Sequence, residues 1–322
     1  MARRPRSAIR RPILSVVGAG SVGTAFATAL HRQGYEVESV ISSSVASARR
    51  LASRVKAPIV SDRLEDISPK SEVVLITTPD QFIPVTAQGL AKIVHLDFSA
   101  TVFLHTSGAL SSDALSPLRE KGGHVLSFHP IQIFPRDTRP QQVASRLSGI
   151  YFGIEGDEVG IATGRRLAKD LGSKTLLIPR DLKPLYHTAC VIASNYLIAL
   201  LSLLDEVYGK LKLEEPAFME VFKPLITSTI DAVRSSSPRD ALTGPIERGD
   251  VAIVRLHLRE LSRALPYLIP FYTVMGMETI RLAIKKGTLT TKQAAKLLDA
   301  MSGYVRKEAT GELISHYQEH RN

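Results

Sequence analysis

The glycine-rich segment VVGAGSVGTAFATAL (16–30) limits the fold more than any other stretch of this chain. It follows a short apolar run and opens an amphipathic one, and its glycines have the spacing G-x-G-x-x-G. In that context the first glycine allows a tight turn, the second lets a pyrophosphate approach the backbone, and the third lets the helix pack on the strand. A glycine turn without a ligand is the alternative. The predicted cofactor-binding turn consists of Gly18, Ala19, Gly20, Ser21, Val22 and Gly23.

Short apolar runs and amphipathic stretches alternate over the first 180 residues. Runs of strand length lie at 13–17, 37–41, 73–77, 102–106, 124–128, 150–154 and 175–179. Helical patterns between them lie at 21–33, 45–55, 81–92, 111–121 and 157–171. This alternation predicts an α/β domain, 13–180, with a doubly wound parallel sheet. Long helical patterns alone follow at 184–209, 215–234, 250–264, 266–286 and 290–302, which predicts an all-α domain over 181–322.

Charge and cysteine content narrow the function class. The chain has 322 residues and a formal net charge of +10. Five of these charges are arginines of the segment 1–12, predicted to be a disordered and dispensable arm, so nucleic acid is not an expected partner. The only cysteine, Cys190, excludes an internal disulfide and fits a reducing compartment. We expect a soluble cytoplasmic protein with no metal site and no membrane association.

The end of the second strand bears on the choice of dinucleotide. An enzyme that prefers NAD usually carries an acid there for the ribose 2′-hydroxyl. The segment VISSSVASARR (40–50) has none, and it offers Ser42, Ser43, Ser44 and Arg49 instead, with Arg50 beside them. Hydroxyl groups and a positive charge suit a 2′-phosphate, which predicts NADP, with NAD still possible. The alternative is that the serines cap a helix and the arginines form its solvated face.

Polar side chains end three further strands, where ligands of open α/β sheets bind. Thr77, Thr78 and Pro79 follow one strand, and we expect them near the ribose on the nicotinamide side. His105 and Thr106 end the next strand as further cofactor candidates, followed by Ser107 as a substrate candidate. His129 ends a third strand and is a candidate for proton transfer. Ordinary turn chemistry is the alternative at each place.

The segment PLYHTACVIASNY (184–196) opens the first long helix of the second half, with Pro184 expected at the first helical position. On an α-helix, His187, Ser194 and Asn195 share one stripe, with the first and last about 12 Å apart along the axis. They could face different parts of one ligand, and the positive end of the helix dipole would make His187 a better proton donor. The alternative is a hydrogen-bonded core histidine.

Four segments resemble a known family: HTSGALSSDAL (105–115), FHPIQIFP (128–135), LYHTACVIASNYLIALL (185–201) and ALTGPIERGD (241–250). They are similar to Rossmann-like proteins with a C-terminal domain of unknown function 2520, within the 6-phosphogluconate dehydrogenase-like superfamily of ketopantoate and pyrroline-carboxylate reductases. In that superfamily a helix lysine protonates the carbonyl, and asparagines orient the substrate. The resemblance puts Asn195 on an asparagine position and His187 on the lysine position. Lys183 is a second candidate, expected to be mobile at the helix boundary.

The segment 241–250 offers two more candidates for substrate binding. The resemblance favours Thr243 and Arg248 as groups that close the cleft on a carboxylate, a task for which arginine is suited. A plain helix–helix turn, with Asp250 capping the next helix, is the alternative.

These observations lead to one expected function and three alternatives. We expect an NADP-dependent oxidoreductase that reduces a small, ketopantoate-like 2-oxo acid, with His187 as the proton donor. An imine reductase, a deazaflavin-linked reductase and a non-catalytic nucleotide sensor are the alternatives. The apolar helices 188–204 and 264–284 favour a homodimer through the helical domain.

Overall fold

The computed structural model describes residues 10–135, 140–213 and 216–308. Its eight strands form one sheet in the order β3-β2-β1-β4-β5-β6-β7-β8. The strands are β1 Leu14–Val17, β2 Val37–Ile41, β3 Ile59–Ser61, β4 Val73–Ile76, β5 Val102–His105, β6 His124–Pro130, β7 Tyr151–Gly156 and β8 Lys174–Leu177. The α/β prediction is confirmed, and β3 is the strand that the sequence reading missed.

Helices cover both faces of the sheet and form most of the described chain after β8. They are α1 Ser21–Arg32, α2 Val45–Val55, α3 Ile83–Leu90, α4 Ser116–Glu120, α5 Pro140–Ser145, α6 Glu158–Asp170, α7 Lys183–Val191, α8 Leu197–Gly209, α9 Phe218–Ser235, α10 Pro238–Ala241, α11 Val251–Ala264, α12 Ile269–Lys286 and α13 Thr291–Glu308. The strands of the sheet are nearly continuous in apolar residues because both of its faces are packed against helices.

One pair of strands departs from the predicted parallel sheet. β7 runs antiparallel to β6, with Phe152 beside Pro130. The chain enters β7 close to the point where β6 ends. It does not first cross back to the end of the sheet where β6 begins, which a parallel connection would require. The rings of Phe128 and Phe152 stack across the pair with centroids 4.3 Å apart. The pair therefore packs into the core despite its reversed direction.

The chain divides into two compact units, 1–197 and 198–322, so the division falls inside the long helical run rather than at residue 180. The second unit has its own apolar core, which includes Val254, Leu258, Ile280 and Leu297. Each unit therefore has an apolar core of its own.

The long helix predicted over 184–209 is not one regular α-helix. A π-helical segment, Ile192–Tyr196, separates α7 from α8. Because π turns close hydrogen bonds from i to i+5, the single stripe expected for His187, Ser194 and Asn195 on an α-helix does not apply. Pro184 lies in the first turn of α7, as its lack of an N–H requires. The run Arg180–Gly209 is long and apolar enough to span a membrane by length and composition alone, a criterion that many helices of other proteins also meet.

The last residues of the N-terminal arm pack on the first unit. Arg10 makes two hydrogen bonds to the carboxylate of Glu72, at 2.7 and 3.0 Å. The Arg11 guanidinium lies 5.6 Å from the centre of the Tyr35 ring. The expected disorder therefore does not hold for these two arginines, and residues 1–9 lie outside the described part of the chain.

Candidate active site

The glycine turn joins β1 to α1, and its three glycines are needed for different reasons. Gly18 has φ +106° and packs against Thr77, and a Cβ on Gly23 would overlap the Gly18 carbonyl oxygen. A Cβ on Gly20 would meet nothing within 4 Å. Gly18 and Gly23 are thus fixed by contacts within the protein, whereas the space beside Gly20 is open to a ligand.

A cleft of about 850 Å³ opens at this turn, along the carboxyl ends of β1, β2, β3, β4 and β5. The predicted cofactor residues that line it are Gly18, Ala19, Gly20, Ser21, Val22, Ser42, Ser43, Thr77, Thr78, Pro79 and Thr106. Its walls also contain Ser47, Asp62, Asp80 and Phe134, which the sequence reading did not single out. Gly23, Ser44, Arg49 and His105 are not part of its lining.

The serines after β2 have different roles. Ser44 caps α2, because its hydroxyl accepts the Ser47 N–H at 3.3 Å. The Arg50 guanidinium donates to the Ser47 hydroxyl at 2.7 Å, so it stands next to the lining of the cleft. Arg49 is exposed. Arg50 is therefore better placed than Arg49 to meet an anion near Ser42 and Ser43.

Two threonines at the end of β4 meet the cleft in different ways. The Thr77 hydroxyl donates to the Gly18 carbonyl at 2.7 Å and thereby holds the glycine turn. The Thr78 hydroxyl oxygen is buried and has no hydrogen-bond partner among the described residues. Because a buried hydroxyl usually has a partner, Thr78 is a site where a bound ligand would be held.

The loop after β5 is fixed by its own polar groups. The Ser107 hydroxyl donates to the Asp80 carboxylate at 2.6 Å and accepts the Leu110 N–H at 3.1 Å. His105 is fully buried; its Nδ1 accepts the Ser107 N–H, so its Nε2 donates to the Ser111 carbonyl. Burial lowers the pKa of His105 to about 4. His105 is thus a neutral residue with both nitrogens engaged, and the Ser107 hydroxyl is engaged as well.

Lys183 lies at the start of α7 and is fully buried. Its Nζ donates to the Ser127 hydroxyl at 2.7 Å and to the Ser107 carbonyl at 3.4 Å, and it lies 5.3 Å from the centre of the Tyr186 ring. Burial lowers the pKa of Lys183 to about 8. The expectation of a mobile lysine is wrong, because the ammonium group is held between the loop after β5 and the middle of β6.

The rings of His129 and His187 both lie next to Gly108. His129 Nδ1 is 2.7 Å from the Tyr186 hydroxyl, and the His129 and His187 rings are edge-to-face with centroids 5.7 Å apart. A Cβ on Gly108 would lie 2.9 Å from His129 Nε2 and would overlap His187 Nδ1. The sequence reading missed Tyr186 and Ser127, although Tyr186 directly precedes His187. We call Lys183, Ser127, His129, Tyr186 and His187 the polar cluster.

The electrostatics of the polar cluster suit an anion. Burial lowers the pKa of His129 to about 3, and the positive charge of Lys183 acts in the same direction. His129 is therefore neutral near pH 7, and Lys183 supplies the positive potential. His187 Nδ1 is buried without a hydrogen-bond partner among the described residues. The cluster thus contains one ring nitrogen without a partner and one buried cation, two groups that can meet a carboxylate or a developing alkoxide, while the Glu155 carboxylate partly offsets the charge of Lys183 and raises its pKa.

The remaining candidates are less closely tied to this cluster. Ser194 is half-buried and Asn195 is exposed, both in the π segment. Thr243 and Arg248 belong to the second unit, where both are exposed. The Arg248 guanidinium pairs with the Asp250 carboxylate at 3.0 Å, and this carboxylate makes no cap bond to α11. No group of three metal-ligating side chains occurs in the described part of the chain.

The burial of Lys183 predicts a dependence of stability on pH. Between a folded-state pKa of about 8 and the ordinary 10.5, the unfolded chain binds more protons at this lysine than the folded chain does. The contribution of Lys183 to the free energy of unfolding should therefore rise with pH in this window, by up to ~1.4 kcal/mol per pH unit. Below pH 8 both states hold the proton and the full cost of burial remains.

Urea unfolding of the wild type and of Lys183→Met between pH 7 and 10 measures this contribution. The stability of the wild type should rise relative to that of the variant as the pH increases. Lys92→Met, which removes an exposed lysine, serves as the control and should show a constant difference. A constant difference for Lys183→Met as well would contradict the lowered pKa.

Comparisons with known proteins agree with the fold and the glycine turn. Residues 2–130 match a Rossmann-like domain, and residues 150–279 match a domain of unknown function, DUF2520. A Thermotoga maritima protein is 28% identical with a TM-score of 0.64 and matches 85% of this chain and 99% of that chain. A search of curated proteins found no match.

Two other solved structures share the fold at lower identity. A candidate NADP oxidoreductase from Bacteroides fragilis is 24% identical with a TM-score of 0.69 and matches 84% of this chain and 98% of that chain. A pyrroline-5-carboxylate reductase from Coxiella burnetii is 11% identical with a TM-score of 0.55 and matches 86% and 99%. The chain therefore has a fold that these oxidoreductases also have.

Proposed function

Because the chain belongs to the proteins that join a Rossmann-like domain to a DUF2520 domain, we propose that it is an NADP-dependent oxidoreductase that reduces a small 2-oxo acid. The observation that carries the proposal is the loop after β5 in the first unit, because residues of this loop contact both the cleft and the polar cluster. The cleft at the glycine turn extends to Thr106, and the neighbouring Gly108 seats the histidines of the polar cluster. The loop after β5 thus lies between the cleft, at the ends of β1 to β5, and the proton-bearing side chains of β6 and α7.

Residues of the cleft fit a nicotinamide dinucleotide. Gly20 leaves open the space that a pyrophosphate needs, and the amides at the start of α1 point toward it. The unpartnered Thr78 hydroxyl would bind the ribose or the amide on the nicotinamide side. When bound, the cofactor supplies the hydride, and the side chains of the chain itself orient the substrate and move the proton.

The polar cluster would bind the substrate and handle its proton. Lys183 sets a positive potential that favours a carboxylate and stabilises charge on a carbonyl oxygen. His187, whose Nδ1 has no partner within the described chain, is the side chain we propose to donate the proton. Tyr186 holds His129 in place through its hydroxyl. Lys183 itself has no exposed surface and acts at a distance.

A second candidate reaction is reduction of a carboxylate-bearing imine. A pyrroline-5-carboxylate reductase is among the structures with this fold. A protonated imine already carries the proton that a ketone must receive, so a neutral His129 is compatible with this reaction. Incubation with NADPH and separate panels of 2-oxo acids and cyclic imino acids discriminates between the two. Binding of NADPH with no turnover of either panel would favour a nucleotide sensor.

We expect NADPH to bind more tightly than NADH. Ser42, Ser43 and the Ser47–Arg50 pair surround the end of β2, where a 2′-phosphate would lie. Arg50→Ala should weaken NADPH binding by about tenfold and leave NADH binding unchanged, because only the phosphate loses a charged partner. Titration calorimetry with both cofactors measures the effect, and Arg49→Ala is the matched control. A wild type that prefers NADH would refute the assignment of NADP.

We also propose a cytoplasmic homodimer formed through the long helical run. Leu185, Ile192 and Tyr196 are exposed by 66%, 56% and 63%, a large apolar surface for one chain. A second copy of the chain would cover these side chains. Analytical ultracentrifugation at micromolar concentration should show a dimer that Ile192→Asp weakens. A monomer that instead binds lipid vesicles would show that the run meets a membrane.

A further inference from the structure

A carboxylate, that of Asp62, lies at the β3 side of the cleft, next to the end of β2, where the sequence has no acid. β2 and β3 are paired in register through Ile41 and Ser61, so Ser42 and Asp62 leave the sheet side by side. The Ser42 N–H donates to the Ser61 carbonyl at 3.0 Å and continues this pairing. Asp62 lines the cleft together with Ser42 and Ser43.

Nearby cations do not neutralise this carboxylate. Asp62 is exposed and forms no hydrogen bond or ion pair within the described ranges. The next residue, Arg63, is paired with Glu65 at 3.7 Å, and Arg50 is bonded to Ser47. Asp62 and Asp80 are the charged side chains of the cleft lining, and both are acidic.

We propose that Asp62 determines how strongly the cleft discriminates between the two cofactors, by opposing a 2′-phosphate and accepting a hydrogen bond from a 2′-hydroxyl. This inference rests on the proposed binding of a nicotinamide cofactor. A carboxylate and a phosphate repel each other wherever they share a small polar site. The same carboxylate is a good acceptor for a ribose hydroxyl, the task that an acid after the second strand performs in other folds of this type. Asp62 therefore replaces that acid from the neighbouring strand.

The inference predicts opposite responses of the two cofactors to one substitution. Asp62→Asn removes the charge and keeps the size of the side chain. NADPH should bind about tenfold more tightly, because the repulsion between the Asp62 carboxylate and the 2′-phosphate is removed. NADH should bind equally or more weakly, because the acceptor becomes a neutral amide. The gain for NADPH should shrink at high ionic strength, since salt screens exposed charges.

Titration calorimetry of the full chain with NADPH and NADH, at low and high salt, tests the inference. Glu120→Gln is the matched control, because it removes an exposed acid of the first unit that forms no ion pair within the described ranges and does not line the cleft, so it should leave the affinity ratio unchanged. An unchanged ratio in Asp62→Asn, or an equal change for both cofactors, would overturn the inference and leave the proposed function intact. A wild type that binds neither cofactor would overturn both.

Discussion

Gly20→Val is expected to abolish binding of the nicotinamide cofactor while leaving the fold intact. A Cβ at this position meets nothing within 4 Å, so the added side chain begins in open space. It would occupy the space through which a pyrophosphate reaches the amides of the turn. We expect the affinity for NADPH to fall by at least ~100-fold, while the thermal midpoint changes little. Calorimetry and thermal unfolding of the same preparation measure both quantities.

Two comparison variants make this result specific. Gly23→Val should destabilise the fold, because its Cβ would overlap the Gly18 carbonyl oxygen. Gly209→Val lies outside the cleft, where an added Cβ also meets nothing within 4 Å, and it should retain cofactor binding. Normal affinity in Gly20→Val would show that a dinucleotide does not bind at this turn.

His187→Ala is expected to have the second large effect, on turnover rather than on cofactor affinity. Its Nδ1 is buried without a partner in the described chain, beside the neutral His129 and above Gly108. Removal of a general acid slows a reaction on the order of 100- to 10,000-fold. With a substrate that the wild type turns over, we expect kcat to fall on the order of 100- to 10,000-fold. The affinity for NADPH should change by less than about twofold, because His187 does not line the cofactor cleft.

His187→Gln and Tyr186→Phe separate proton transfer from packing. Glutamine retains a hydrogen-bonding group but transfers no proton, so it should be as slow as alanine. Tyr186→Phe leaves His187 in place and removes the hydrogen bonds of the Tyr186 hydroxyl to His129 and Cys190. Full activity in His187→Ala would identify His187 as a packing residue and leave the imine reaction, which needs no donor, as the better candidate.

The sequence was sufficient to predict features that depend on local patterns. The glycine turn, the helical second half and the ends of most helices follow from spacing and periodicity. β3 was missed because three residues give too short a pattern, and the reversal of β7 was missed because strand direction depends on where the chain re-enters the sheet. Asp62 was overlooked for a related reason, since its place in the cleft follows from the register of that short strand.

Contacts between residues far apart in the sequence could not be predicted from local patterns. Lys183 stands next to a proline at a helix start, a context typical of a solvated lysine, yet the structure buries it against Ser127. The π segment likewise has no simple sequence signal, and it changes where Ser194 and Asn195 point. Both features depend on how the helix packs, which composition and periodicity do not encode.

The buried position of Lys183 also makes it a reporter of local opening. Amine-reactive reagents attack the unprotonated form of a lysine that they can reach. Burial shields Lys183 from a reagent for as long as the start of α7 stays docked on β5 and β6. The rate at which Lys183 becomes labelled therefore measures how often this helix detaches from the sheet. A ligand that fills the cleft and holds the helix in place should slow that labelling.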